Sequence, residues 1–236
     1  MMNKARKSTR WVLLLGHLII LMGCSTKPTY DEGLILELYP TRFEDNLFIH
    51  AFFQFSPPRS TGWERIDLQN PRWVMLRKIL IPHSNENTLQ AARISVESWV
   101  DEPPKTQDAT EILAFIAKQR QAMIKKVEGD KLKEFRAYPD STCPITPCYR
   151  FDLLVRGSGK GKEGKELPYV LEAHSYIFPH PEMLDLRKNV PGFPFFRVVQ
   201  ITYSQNYPPG SKKQSIDDDV AHVLNSLKLR NGKQIY

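Results

Sequence analysis

With 236 residues, 41% hydrophobic and 25% charged, the chain has the composition of a globular protein, which excludes a disordered tail. Its formal charge of +7 overstates the basicity of the body: Lys4, Arg6, Lys7 and Arg10 crowd the first 23 residues, which hold no acid, leaving 29 cations against 26 acids. That small surplus, with no basic stripe interleaved with aromatics, excludes a nucleic-acid partner.

The four cations precede an apolar stretch, Trp11–Met22, interrupted by Gly16 and His17 and ending in Leu21-Met22-Gly23-Cys24. A positive n-region, a short apolar h-region and small residues at the cut are the layout of a signal peptide. The stretch is shorter than the ~20 residues of a permanent membrane helix. The run ending in Cys24 resembles a lipobox, and on these residues the N-terminus resembles that of bacterial lipoproteins. The resemblance implies cleavage before Cys24 and lipidation of Cys24 by a diacylglycerol and usually a third acyl chain. Two or more chains hold a protein on a bilayer where one does not, each buried methylene contributing about 0.8 kcal/mol. Ser25 in place of Asp implies the outer membrane, with the protein facing the periplasm. The expected organisation is a signal peptide at 1–23, a lipidated tether at 24–33 and a single α+β domain at 34–236.

Within that domain, Leu34–Leu38 suits a brief strand. From Asn46 to Phe55, Leu47, Ile49, Ala51, Phe53 and Phe55 alternate with Phe48, His50, Phe52 and Gln54. Both sets are apolar enough to predict one strand covered on both faces, with His50 a core or rim histidine. A Pro-rich turn at 56–62 leads to an apolar run at Trp73–Ile81, stopped by Pro82. Ala92, Ile94, Val96, Ser98 and Val100 then alternate with Arg93, Ser95, Glu97 and Trp99 as a strand does, and Pro103 and Pro104 break it.

Asp108 opens the clearest helix, with Glu111 completing a capping-box-like pair. Ile112, Leu113, Ile116, Met123, Ile124 and Val127 recur at helical spacing, largely opposite Lys118, Arg120, Gln121 and Lys125, which read as a solvated face; Gly129 stops the helix. Lys131–Tyr138 predicts a short strand. Cys148–Arg156 and Leu167–Phe178 predict a long hairpin whose tip, Gly157–Lys165, carries no phosphate-loop pattern. Phe195–Ser204 predicts another strand. Ser215 caps a last helix with Asp217, Asp218 and Asp219 in its first turn and Ile216, Val220, Val223, Leu224 and Leu227 as its apolar stripe. No loop of alternating oxygen ligands accompanies the three acids, so they read as a charged helix start and not as a calcium site.

Beyond Cys24 only Cys143 and Cys148 remain, framing a turn with Pro144 and Pro147. In an oxidising envelope they read as a disulfide contributing roughly 2 kcal/mol. A redox role would favour a tighter Cys-x-x-Cys, and zinc a second pair of ligands. On the hairpin, Tyr149, Phe151, Leu153 and Val155 match Tyr169, Leu171, Ala173 and Ile177. Keeping both apolar sets on one face puts Arg150, Asp152, Glu172 and His174 together on the other. These four read either as cross-strand ion pairs or as an acid–base cluster in which Glu172 orients His174. Residues 183–193 form a loop with Met183, Leu184, Leu186 and Phe193, more apolar than a loop needs. It either covers the domain's own core or marks a partner contact.

The element order, with Pro57-Pro58…Gly62-Trp63 early and Val223-Leu224-Asn225-Ser226-Leu227-Lys228-Leu229 late, resembles the PsbP-like fold over about residues 34–230. That likeness implies an antiparallel sheet flanked by an amphipathic central helix and a C-terminal helix, and a binding or assembly role. No serine elbow, metalloprotease motif, nucleotide loop or Cys-His pair at catalytic spacing is present. The expectation is a membrane-anchored envelope lipoprotein, without catalysis or cofactor, that binds an envelope protein or component. A lipid- or small-ligand carrier is the alternative, and an enzyme using the Glu172/His174 face the third.

Overall fold

The structure, a computed structural model, describes residues 40–66, 72–81, 90–101, 106–160, 165–189 and 195–230. Contacts divide the chain into Met1–Ile35 and Leu36–Tyr236, and every described residue belongs to the second unit. Cys24, the tether, the run at 34–38 and Phe193 lie outside the described residues. Strands β1 (Arg42–Glu44), β2 (Leu47–Ile49), β3 (Phe53–Phe55) and β11 (Lys228–Leu229) form a small sheet. Strands β4 (Trp63–Ile66), β5 (Trp73–Ile81), β6 (Gln90–Asp101), β7 (Leu132–Pro139), β8 (Tyr149–Lys160), β9 (Glu166–Pro179) and β10 (Phe196–Tyr207) form a large one in the order β4-β5-β6-β10-β9-β8-β7. All pairings in both sheets are antiparallel. Helices α1 (Ala109–Glu128), α2 (Pro181–Asn189) and α3 (Asp217–Ser226) complete an α+β fold in which the large sheet is flanked by the central and C-terminal helices.

Burial in β6 follows the sequence alternation, one face being buried outright and the other partly. In β6, Ala92, Ile94, Val96 and Ser98 are buried, while Arg93, Ser95, Glu97 and Trp99 are half-buried. α1 covers the Trp99 side. Ile112, Leu113, Ile116 and Ala117 pack with Phe151, Ile177, Phe196 and Val198, and Trp99, Phe135, Tyr149 and Leu184 join from the margin. Asp108 caps α1 through Oδ1, which accepts from Thr110 N at 2.7 Å and Glu111 N at 3.3 Å. The Asp108 N–H is bound by the Thr106 hydroxyl at 3.1 Å, so Thr106 serves where a capping box would use Glu111. Gly129, at φ 51°, ends the helix with its N–H on the Lys125 carbonyl.

Several expectations are corrected. Residues 46–55 make a hairpin and a bend, not one strand. Asp45 and Asn46 both take positive φ (51° and 59°), the two-residue turn that closes β1 on β2. His50 then folds the chain back, its N–H on the Phe53 carbonyl (2.9 Å) and its Nδ1 accepting from Phe52 N (3.2 Å). His50 is nonetheless core, only 1% exposed and stacked on Phe53. The hairpin tip is shorter than its glycines suggest, because β8 runs to Lys160 and β9 starts at Glu166. Gly157 pairs with Tyr169, and a Cβ there would meet the Tyr169 hydroxyl at 3.0 Å. These glycines make room for a cross-strand ring and do not break the strand.

Of the loop read at 183–193, residues 183–189 are helical, in a helix that begins at Pro181, a first position where the missing N–H costs nothing. Arg120 is not on a solvated face: its guanidinium lies 4.2 Å over the Trp99 ring. The apolar stripe of α1 outruns the sheet, leaving Met123 and Val127 49% and 73% exposed. The last helix starts at Asp217 with Ile216 at the N-cap, so Ser215 lies one residue before the cap; its hydroxyl still accepts from Asp217 N at 3.3 Å. Asp219 is buried, receiving Ser60 N (2.9 Å), the Ser60 hydroxyl and Trp63 Nε1 (2.9 Å), which ties α3 to β4.

A second buried junction joins the two sheets. The Arg197 guanidinium, fully buried, lies 3.4 Å over the Phe52 ring and donates to Ser98 Oγ at 3.0 Å. His180 Nε2 donates to the Arg230 carbonyl at 2.8 Å, and burial holds this histidine below its ordinary pKa.

Ile116→Ala is expected to cost about 2–5 kcal/mol in urea unfolding, whereas Val127→Ala changes stability by less than about 0.5 kcal/mol. Equal effects at the two positions would contradict this placement of α1.

Candidate functional site

The β8–β9 register sets Asp152 opposite His174, Arg150 opposite Tyr176 and Leu154 opposite Glu172. Residues opposite each other share a face, so the face away from α1 carries Arg150, Asp152, Glu172 and His174, as the alternation requires. Pairing with β10 adds Tyr203 opposite His174, and pairing with β7 adds Tyr138 and Arg136 opposite Arg150 and Asp152. The site therefore sits on four adjacent strands and is held by backbone hydrogen bonds throughout.

Its centre is an imidazole between two carboxylates. His174 Nδ1 lies 2.5 Å from Asp152 Oδ1 and Nε2 lies 2.9 Å from Glu172 Oε1, with the histidine side chain 16% exposed. The ring stacks on Tyr203 with centroids 4.8 Å apart. Asp152 also accepts from Arg150 Nε and from the Tyr138 hydroxyl, both at 2.9 Å. Glu172 also accepts from Lys213 Nζ at 2.8 Å and from the Tyr207 hydroxyl at 3.3 Å. The Arg150 guanidinium lies 5.4 Å over the Tyr176 ring.

Desolvation works against both carboxylates, but the donors outweigh it. Hydrogen bonds from His174, Arg150 and Tyr138 hold Asp152 below the usual carboxylate range. Those from Lys213 and His174 do the same for Glu172. Burial pushes the Tyr203 hydroxyl up, as do burial and the Glu172 charge at Tyr207. Chemically, the cluster presents fixed charge and directed hydrogen bonds. A carboxylate stands within hydrogen-bond distance of each ring nitrogen, so the His174 imidazole is held from both sides.

Beside this network a cavity of about 580 Å³ opens on the sheet. Glu134, Arg136, Asp152, Leu154, Arg156, Val170, Glu172, His174 and Tyr207 line it, with Pro209-Gly210. Among the described residues no group of three or more His, Cys, Asp or Glu side chains is placed to hold a metal ion, and no helix is long and apolar enough to cross a membrane.

The other expected site residues lie elsewhere. Cys143 and Cys148 are joined in a disulfide, Cα atoms 6.2 Å apart, in the turn before β8. Leu184 packs at the margin of the core under α1. Met183 and Leu186 are on the same helix, with their side chains outside what is described. The sequence reading missed Tyr138, Tyr203, Tyr207, Lys213, Arg136 and Arg156. Strand alternation would place the tyrosines and arginines on this face once the strand order was known; Lys213, in a connecting segment, carried no signal.

No family model matches the chain, and no curated protein matches it.

Because Asp152 and Glu172 have folded pKa values below their unfolded ones, their contribution to stability is fully present above the unfolded range near pH 4 and is lost as pH falls through the folded values. Urea midpoints are therefore expected to fall steeply below about pH 4. Asp152→Asn should flatten that fall, and an unchanged acid profile would contradict the network.

Proposed function

We propose that this chain is a lipid-anchored bacterial envelope protein whose single domain is a non-catalytic binding module, with the cavity beside His174 as its binding face. The observation that carries this reading is the saturated network. Asp152, Glu172 and both nitrogens of His174 are engaged with one another and with Arg150, Lys213, Tyr138 and Tyr207, so the site offers a preformed recognition surface. The cavity's charged, open lining favours a polar ligand over the apolar chain that a lipid carrier would enclose.

Attachment to the outer membrane through Cys24, facing the periplasm, rests on the lipobox and on Ser25. The disulfide fits an oxidising compartment. A large antiparallel sheet flanked by helices is the layout that a PsbP-like resemblance implies, and binding or assembly is the role that goes with it. The helix at 181–189 takes second place as a contact surface, since Leu184 already packs on the core.

Two measurements test the reading. Cells given an alkyne analogue of palmitate should label the protein and recover it with membranes, and Cys24→Ser should lose both label and membrane association. With a solubilised envelope fraction added, amide resonances of Leu154, Val170 and Tyr207 are expected to shift. Shifts confined to residues 181–189 would place the binding face elsewhere.

A further inference from the structure

The cavity's charges are unevenly used. Each carboxylate lining it is already engaged: Glu134 with Arg136, Asp152 with Arg150 and His174, and Glu172 with Lys213 and His174. A cationic ligand would have to displace one of these internal partners. Arg156 also lines the cavity, yet among the described residues it makes no ion pair and no hydrogen bond, so its full fork of N–H donors is unspent. It lies on β8 opposite Val170, which also lines the cavity, and its charge reaches the Tyr207 hydroxyl. Counting the described residues of the cavity and their immediate partners, and leaving His174 out of the sum, the four cations Arg136, Arg150, Arg156 and Lys213 face the three carboxylates Glu134, Asp152 and Glu172, and Arg156 is the cation that none of the three pairs with.

We propose that the cavity takes a small anionic ligand, a phosphate or carboxylate, whose anionic group is held by Arg156 beside the closed Asp152–His174–Glu172 network. The proposal rests on the reading of this cavity as the binding face and adds the class of ligand. A guanidinium suits the role because its planar fork meets two oxygens of a phosphate or carboxylate at once, which an ammonium does not. The network supplies the rest of the specificity: its carboxylates, fixed and already ionised, repel an anion placed anywhere but at the Arg156 end. Phosphate and carboxylate share this chemistry, and the probes below separate them.

The test is calorimetric titration of the full chain in detergent with four hexoses of one scaffold: glucose 6-phosphate, glucuronate, glucose and glucosamine. At least one of the two anionic sugars is expected to bind about tenfold or more tightly than glucose and glucosamine, and to bind more weakly as salt is raised. Which of the two binds assigns phosphate or carboxylate. Arg156→Gln should weaken that binding about tenfold or more, Arg156→Lys should recover only part of it, and Lys118→Gln on the far side of α1 should leave it unchanged. Because Arg156 is exposed, the unfolding midpoint of Arg156→Gln should match that of the parent, which separates lost binding from lost folding. Preference for glucosamine or glucose with shifts at Leu154 would overturn the anionic class while leaving the binding face in place. Binding unaffected by Arg156→Gln, or no binding of any probe, would overturn the proposal. If no envelope fraction shifts Leu154 either, the binding face falls with it.

Discussion

The parity of the β8–β9 hairpin governs this molecule. Side chains on a strand alternate strictly, so once Phe151 and Ile177 turn toward α1, Asp152 and His174 have to turn away from it. The hydrophobic core thus fixes the polar face: each methylene that α1 buries against β8 and β9 also opposes a register slip that would drive Arg150, Asp152, Glu172 and His174 under the helix. A one-residue slip would place two carboxylates, a guanidinium and an imidazole in the apolar layer, at a cost of several kcal/mol for each uncompensated charge. The network is therefore assembled by burial elsewhere and does not depend on the strength of its own ion pairs, which at partial exposure are individually modest.

Its chemistry follows from that placement. Neighbouring strands deliver Tyr138 and Tyr207 and the segment after β10 delivers Lys213, so Asp152 and Glu172 find donors within the protein, while Tyr203 stacks on the His174 ring. Fully satisfied polar networks are rigid, and rigidity is what a recognition surface needs, because a preorganised site loses little freedom when a ligand binds. The sheet's other face is occupied by α1, Asp219 ties the C-terminal helix to Ser60 and Trp63 at the β4 edge, and Arg197 ties the middle of the large sheet to Phe52, so the cavity side of β7–β9 is where a ligand has room.

How far the sequence discloses this depends on the range of the signal. Alternation in β6 and in the hairpin is a local pattern and is realised; of the helical stripe Ile112–Val127 the first part, Ile112, Leu113 and Ile116, is buried, while Met123 and Val127 are exposed. The four-residue polar face is legible for the same reason. Strand order is not local: that β10 lies between β6 and β9, bringing Tyr203 onto His174, leaves no mark in a window of any length. Glycine misleads at 157 and 159, where absence of a side chain serves the Tyr169 ring and not a turn. Charge misleads at Asp219, whose carboxylate is buried because Ser60 and Trp63, more than 150 residues away, supply its donors. The helix at 181–189 is hidden by the prolines around it, one of which begins it.

On the proposed reading, the polar face of β7–β9, and not the helical surfaces, meets a ligand. Photo-crosslinking in intact cells tests it most directly, with the reactive side chain at Leu154 in the cavity or at Val127 on the exposed end of α1. An envelope adduct is expected from position 154 and none from position 127. An adduct from 127 alone would contradict it.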